Sequence, residues 1–80
     1  MITVVHDAPN EAEITELYVF LSMDATGEGI CGAHLNGAWT PLVTSKRRIA
    51  ETLRPMAAEA SRLSGKPVRL VRFSVREEVP

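Results

Sequence analysis

The first 45 residues of this 80-residue chain contain no lysine and no arginine. All nine basic residues lie between Lys46 and Arg76, whereas six of the ten acidic residues come before Lys46. The front part therefore carries −6, and nine bases against four acids leave +5 in the back part, for a net charge of −1. Such a separation indicates an acidic or nucleic-acid partner, or two halves that neutralise each other in the fold.

Cysteine and long hydrophobic runs are also scarce. Cys31 is the single cysteine, so no disulfide can form within the chain, which favours a reducing compartment. The longest unbroken apolar run, residues 17–21, is far shorter than the ~20 residues that a membrane-spanning helix needs. His6, Asp7 and Glu11 lie where a signal peptide would carry an apolar stretch. We therefore expect a cytoplasmic protein with no membrane partner.

The chain lacks the motifs of the common catalytic and metal sites. His6, His34 and Cys31 do not have the spacing of the usual metal ligands, and residues 24–29 lack the GxxxxGK[ST] pattern of a phosphate loop. His34 would need an orienting carboxylate and a substrate pocket to act as a general base, and no serine has a recognisable nucleophile context. The sequence therefore predicts no catalytic residue, no metal and no cofactor, and we expect a protein that is not an enzyme.

The clearest element is a helix over residues 46–64. Thr44 or Ser45 can cap its start. Gly65 can adopt the left-handed conformation just past its end, and Pro67 prevents continuation. Apolar side chains recur along the helix at steps of three and four, which makes one stripe: Ile49, Leu53, Met56, Ala57, Ala60 and Leu63.

Pro55 lies inside this helix and conflicts with it. A proline in a helix interior removes one hydrogen bond and costs about 3 kcal/mol or more. The apolar stripe continues through Pro55 in phase, which favours one kinked helix over two short helices that break near Arg54.

Four further segments have strand patterns. Asn36-Gly37 is a strong signal for a two-residue hairpin turn, because both of its positions need a positive φ. Pro41 lacks a backbone N–H group and favours an edge position. Alternation and apolar runs predict these strands: residues 17–23, 30–35, 38–43 and 68–76.

The order β-β-β-α-β predicts the topology. Three strands in a meander, followed by a right-handed crossover through the helix, place the fourth strand parallel to the first and beside it. We therefore predict an α+β domain over residues 14–80, with a mixed four-stranded sheet of order 3-2-1-4 and the helix packed on one face. Residues 1–13 are predicted to be an N-terminal segment ahead of this domain, in which the strand-like residues 1–5 either pair at a sheet edge or stay mobile.

The alternation of side chains divides the predicted sheet into two faces. Odd-numbered positions of the first, second and fourth strands would face the helix: Leu17, Val19, Leu21, Met23, Cys31, Ala33, Leu35, Val71, Phe73 and Val75. The far face then gathers most of the rings and two arginines, and there we predict the binding surface: Tyr18, Phe20, His34, Trp39, Arg72 and Arg76.

Three uses of this far face remain open. It can be a second core, covered by the N-terminal segment or by another copy, in which Gly32 allows a close approach. It can bind unpaired nucleic-acid bases, which stack on rings while arginines hold the phosphates. It can also bind a small ligand or a peptide between Trp39 and Tyr18, with Arg72 as an anion contact. A register slip of one residue would exchange the two faces.

Three cations stand in the first turn of the predicted helix, where they oppose the positive end of the helix dipole. Together with the free N–H groups of that turn and a nearby hydroxyl, they would form an anion site: Ser45, Lys46, Arg47 and Arg48. Alternatively, the three side chains extend into water or pair with acids of the front half.

The sequence thus predicts a small binding or interaction module that associates with a protein or with itself through the far face. The alternative is a nucleic-acid or anion-binding module that uses Lys46, Arg47 and Arg48 with Arg72 and Arg76. Salt dependence separates the two, because phosphate-driven binding weakens steeply as salt rises.

Overall fold

The structure, a computed structural model, describes residues 13–80. Most of the predicted N-terminal segment therefore lies outside the described residues. Within residues 13–80 the chain forms a small α+β fold with one helix and antiparallel strands, which confirms the predicted class. The elements are β1 (Leu17–Asp24), β2 (Gly27–Ile30), β3 (Gly32–Leu35), β4 (Ala38–Pro41), β5 (Val43–Thr44), α1 (Arg47–Ser64) and β6 (Val68–Phe73).

β1 is the centre of the main sheet and is used along both of its edges. β6 pairs with it over six residues, from Leu17 opposite Phe73 to Ser22 opposite Val68. β2 and β5 share the other edge, where β2 pairs with the last four residues of β1 and β5 pairs with Tyr18 and Val19. All three pairings are antiparallel. Because β2 and β5 share one edge, the sheet is only three strands wide at any point along β1.

The predicted order 3-2-1-4 with a parallel last strand is wrong, although β6 does lie beside β1. The chain leaves the sheet after Cys31, forms the β3-β4 hairpin as a separate two-stranded sheet, and returns at Leu42. β5 therefore resumes the direction of β2, antiparallel to β1. The crossover through α1 preserves this direction, and so β6 also runs antiparallel to β1.

Two backbone hydrogen bonds join the base of the hairpin to β1, and a third links the two arms of the base. Cys31 N–H donates to the Phe20 carbonyl at 2.8 Å, and Phe20 N–H donates to the Leu42 carbonyl at 3.1 Å. Leu42 N–H then donates to the Cys31 carbonyl at 2.9 Å and closes the triangle. The hairpin is therefore anchored at its base to the middle of β1, while its tip extends beyond the sheet.

The hairpin turn confirms the prediction at Asn36-Gly37. Asn36 has φ 52 and Gly37 has φ 81, which are the left-handed values that a type I′ turn requires at both positions. The bond from Leu42 to Cys31 makes that pair a hydrogen-bonded one, so Pro41 opposite Gly32 falls at a non-bonded pair of the antiparallel ladder. The missing N–H group of Pro41 therefore costs the ladder nothing.

α1 runs as one helix through Pro55, as predicted over the alternative of two short helices. Its end is also as predicted, because Gly65 has φ 74 and its N–H group donates to the Ser61 carbonyl. Its start differs from the prediction: the cap position is Lys46, and no side chain caps the helix there. Thr44 Oγ1 instead accepts a bond from Lys46 N–H at 3.2 Å, which rounds off the loop before the helix.

The predicted division of the faces is wrong for β1 and β6. The core cluster lies between α1 and the side of β1 that carries Tyr18 and Phe20, whereas Cys31 and Ala33 contact the helix side as predicted. The reason is the pairing of β1 with β2. Leu21 lies opposite Ile30, so odd-numbered residues of β1 share a face with even-numbered residues of β2, whereas the prediction placed odd-numbered residues of both strands on one face. That offset of one residue exchanges the faces of β1 and, through its pairing with β1, those of β6.

Candidate functional site

The six residues of the predicted binding face lie in three separate parts of the structure. Tyr18 and Phe20 are core residues, with 6% and 3% of their surface exposed. His34 and Trp39 lie opposite each other on the hairpin, and both are exposed. Arg72 and Arg76 lie near the end of β6, where they contact acids. The predicted surface is therefore not one continuous face, and whether any of these residues binds a partner stays a prediction.

Arg76 joins the two ends of the described chain. Its Nη1 atom donates to Glu13 Oε1 at 2.9 Å and to the Ile14 carbonyl at 3.1 Å. This contact pairs a base of the back part with an acid of the front part.

Arg72 makes a similar but looser contact with Glu16, at 3.9 Å. The same glutamate accepts a bond from the Tyr18 hydroxyl at 2.8 Å, and this bond, with some desolvation, raises the pKa of Tyr18. The charge asymmetry of the sequence is thus partly neutralised within the fold.

The four residues of the predicted anion site lie together at the start of α1. Lys46, Arg47 and Arg48 are exposed, and the first turn contains no acid. Arg47 Nε lies 4.0 Å from Glu51 Oε1 on the next turn, so its charge is shared with an acid of the same helix. Whether Ser45 and these cations hold an anion stays a prediction.

A groove of about 850 Å³ lies between the second half of α1, the hairpin and the adjoining ends of β1 and β6. This volume falls in the range of about 300–1,000 Å³ that is typical of ligand sites. Its floor is apolar and continues the core: Cys31, Ala33, Ala60 and Val68. Its walls are large side chains of the helix and the hairpin: Met56, Leu63, Leu35 and Trp39.

One wall of the groove is the free edge of β3. All four residues of β3 line the groove, although alternate residues point to opposite faces of the strand. A groove can be lined by residues from both faces of a strand only if it runs along the edge of that strand. In the ladder set by Cys31 and Leu42, the N–H and C=O groups of Gly32 and His34 point away from β4. The groove therefore combines apolar side chains with an unpaired strand edge on the side away from β4.

Trp39 reaches this groove because Gly32 has no side chain. Trp39 belongs to β4, on the other strand of the hairpin, and pairs with His34. Its indole ring lies directly over Gly32, so closely that a Cβ atom there would overlap ring atoms Nε1 and Cε2. The ring thus crosses the backbone of β3, and 54% of the Trp39 surface stays exposed beside the groove.

The charged groups around the groove already have partners. Glu59 pairs with Arg62 on the next turn of α1. Lys66 Nζ lies 3.2 Å from Asp24 Oδ2, which ties the end of β1 to the segment between α1 and β6. The Cys31 thiol lies at the floor, where burial raises its pKa and keeps it protonated and apolar in character. The groove therefore favours a ligand that is apolar and carries little net charge.

The sequence contained part of the signal for this site. His34 and Trp39 were singled out, but Met56 and Leu63 were assigned to the stripe that packs on the sheet. In the structure 71% of Leu63 and 38% of Met56 are exposed. A stripe that continues to the last turn of a helix, above a sheet of short strands, is the one available hint that its end projects past the sheet.

No protein-family model, curated protein or solved structure matches the chain. Within residues 13–80 no group of three or more His, Cys, Asp or Glu side chains is placed to hold a metal ion. No helix in the same part of the chain has the length and apolar character needed to cross a membrane.

Proposed function

We propose that the protein is a small non-enzymatic binding module that takes up an extended, apolar segment of a partner protein in the groove between α1 and β3. The observation that carries the proposal is the groove itself, in which an apolar floor and walls adjoin a free strand edge. A peptide that adds to a strand edge gains affinity from backbone hydrogen bonds and specificity from pockets for alternate side chains.

The arrangement fits an extended peptide better than a helix. Gly32 and His34 present N–H and C=O groups that an added strand would bond, whereas a bound helix has no free backbone groups along its side. Alternate side chains of the peptide would point toward the apolar floor at Ala33 and Val68. The exposed ring of Trp39 offers a large rigid contact at the rim, as aromatic anchors do at many interfaces.

The nucleic-acid alternative has less support. Arg72 and Arg76 contact Glu16 and Glu13, so binding phosphates through them would first break these contacts. Tyr18 and Phe20 are buried and offer no surface on which a base can stack. The basic residues at the start of α1 are left as candidate phosphate contacts.

A selection experiment tests the proposed function. A library of random peptides, displayed on phage, is selected on the immobilised full chain, and the same selection is run on Leu63→Lys and Ala58→Lys. Leu63 lines the groove, whereas Ala58 is exposed on α1 outside it, so the two variants add the same charge to the same helix. We expect peptides with alternating apolar residues from the wild type and Ala58→Lys, and a loss of at least about tenfold in their affinity for Leu63→Lys.

The selected peptides also test the mode of binding. Their addition should shift the amide signals of Gly32 and His34 and move the emission of Trp39, the single tryptophan of the chain, to the blue. N-methylation of alternate peptide bonds should abolish binding in one of the two registers only, because an added strand bonds with alternate residues. Selections that yield no peptide with a preference for the wild type over Leu63→Lys would contradict the proposal.

A further inference from the structure

The side of β1 away from α1 is a second apolar surface, which shares only Ile30 with the lining of the groove. Val19 and Leu21 form its centre, and cross-strand partners on β6, β2 and β5 continue it on both sides. We call this surface the outer face and define it by seven residues: Leu17, Val19, Leu21, Ile30, Val43, Val71 and Phe73.

The residues at the centre of the outer face are buried, whereas those around it are exposed. Val19 and Leu21 are 7% and 9% exposed, whereas 54% of Ile30 and 50% of Phe73 are exposed. No other helix or strand of residues 13–80 packs against this side, because α1 lies on the opposite side with Tyr18 and Phe20. An exposed apolar patch rimmed by polar residues is the usual mark of an interaction surface.

The rim carries two opposite charges that match each other across a two-fold axis. Arg69 lies beside Leu21 on β6, and Glu28 lies beside Met23 on β2, at the opposite edge of the sheet. Neither forms an ion pair within residues 13–80. When two copies stack face to face, a two-fold axis that bisects the line from Arg69 to Glu28 brings each arginine to the glutamate of the other copy.

The same axis places apolar groups in contact. The axis crosses β1 obliquely near Ser22 and runs between Leu21 and Ile30. Ile30 of each copy therefore lies over Leu21 of the other copy. Three strands about 4.8 Å apart and eight residues of about 3.3 Å each give the face a footprint of roughly 350 Å². A stable dimer buries about 800 Å² on each partner. The outer face is therefore sized for a weak dimer that depends on concentration.

We propose that the outer face binds a second copy of this chain, in a weak two-fold dimer with reciprocal Arg69–Glu28 pairs. Apart from Ile30, which borders both surfaces, the groove is lined by residues outside the outer face, so this dimer leaves most of the groove accessible. Two copies would then present two grooves, and the binding of a partner with two apolar segments would gain from their combined affinity. The dimer does not depend on the groove and is tested separately from it.

Charge reversal combined with sedimentation equilibrium tests this proposal. The full chain is measured from about 10 µM to about 1 mM, and we expect association in this range. Arg69→Glu and Glu28→Arg should each weaken the dimer about tenfold, because each places like charges opposite one another. The double variant Arg69→Glu/Glu28→Arg should return to within about twofold of the wild type, since the pair is restored with its signs exchanged.

Two controls keep the outcome interpretable. Arg48→Glu makes the same change of charge on α1, away from the outer face, and should leave the dimer unchanged. Thermal melts followed by circular dichroism show whether each variant is folded. A protein that is monomeric at about 1 mM would overturn the proposal, as would a double variant no better than the single ones. Monomeric protein would mean that the face is covered by the chain itself or by another protein.

Discussion

β1 has two sides, and they differ in what covers them. On the inner side, Tyr18 and Phe20 contact a helix whose nearest residues are the fully buried Ala50 and Ala57. On the outer side, no helix within residues 13–80 covers residues of similar apolar character, because α1 packs on the inner side. Small alanines let α1 approach closely, so the inner side is closed by packing, as protein cores generally are.

The difference follows from the size of the only helix within residues 13–80. An 18-residue helix is about 27 Å long and covers a stripe roughly 10 Å wide, which is enough for one side of a three-stranded sheet. It does not reach across the hairpin, and the space between them becomes the groove. It also leaves the outer face without a covering helix within residues 13–80. Both candidate surfaces are thus consequences of one helix packing on a sheet that carries an extra hairpin.

Truncating one side chain on each side of the sheet should give the largest difference in the free energy of unfolding. Phe20→Ala removes a ring from the closed inner side and should lower the free energy of unfolding by about 3–5 kcal/mol, close to all the stability of so small a domain. Ile30→Ala, on the outer face, should cost less than about 1 kcal/mol in the monomer. Urea unfolding at low protein concentration measures both.

Phe20→Leu keeps this experiment informative if Phe20→Ala does not fold, because its expected cost is about 1–1.5 kcal/mol. Equal losses for Phe20→Leu and Ile30→Ala would mean that the outer face is packed as tightly as the inner one. The inner side of β1 would then no longer be the main core.

Local features of the fold were predictable from the sequence, because neighbouring residues determine them. Asn36-Gly37 forms the turn that its φ preferences require, and Gly65 ends the helix. Pro55 stays inside one helix because the apolar stripe on both sides of it packs on the same surface. For the turn and the helix end, the interactions that decide the conformation lie within a few residues of the signal.

The division of the faces depends on the register between β1 and β2, which the turn at Ala25-Thr26 marks only weakly, because neither position carries glycine or asparagine. The prediction gave odd-numbered residues of both strands the same face, whereas the observed pairing puts Leu21 opposite Ile30. That offset of one residue moved Tyr18 and Phe20 to the wrong side. Topology was misjudged for a related reason: the departure of the chain at Cys31 rests on hydrogen bonds to Phe20 and Leu42, which are distant in sequence.

The candidate site was the hardest part to predict, because it forms where separate elements meet. His34 and Trp39 were recognised from composition and pairing, but the groove also needs the end of α1 and the free edge of β3. No pattern within either element shows that the two face each other. The outer face was anticipated only as the consequence of a register slip.

Gly32→Ala tests the groove side of the comparison with an effect of intermediate size. An added Cβ atom would overlap the Trp39 ring, so either the ring leaves or the hairpin shifts, and we expect a loss of about 1–3 kcal/mol on unfolding. The emission of Trp39 should move to the red as the ring becomes more exposed. In a Trp39→Ala background the same change should cost much less, because its neighbour is gone.

Gly29→Ala is the matched control for this experiment. Gly29 lies on β2, where an added Cβ atom would be 3.5 Å from Ser22 Oγ, an ordinary contact. It should therefore leave both the stability and the emission almost unchanged. A Gly32→Ala variant that resembles Gly29→Ala would show that Trp39 does not rest on Gly32 in solution.

The smallest expected effect concerns the ion pair at the end of the groove. Asp24 accepts bonds from the hydroxyl and the backbone N–H of Thr26, at 2.5 and 2.8 Å, and pairs with Lys66. These contacts lower the pKa of Asp24 from 3.8 to about 2. Because the folded pKa is depressed, the stabilisation is complete above the ordinary value and is lost as pH falls from there through about 2.

Asp24→Asn should therefore reduce the loss of stability as pH falls. A variant on the outer face, Glu28→Gln, is the control. Thermal melts at pH 6, 4, 3 and 2 should show the wild type losing its advantage over Asp24→Asn between about pH 4 and pH 2. Glu28→Gln removes the same charge on the outer rim, where Glu28 forms no ion pair within residues 13–80, and serves as the control for the loss of one negative charge. If the difference in melting temperature between wild type and Asp24→Asn is the same at all four pH values, the Asp24 carboxylate does not tie β1 to the segment between α1 and β6. Packing alone would then hold this end of β1 in place.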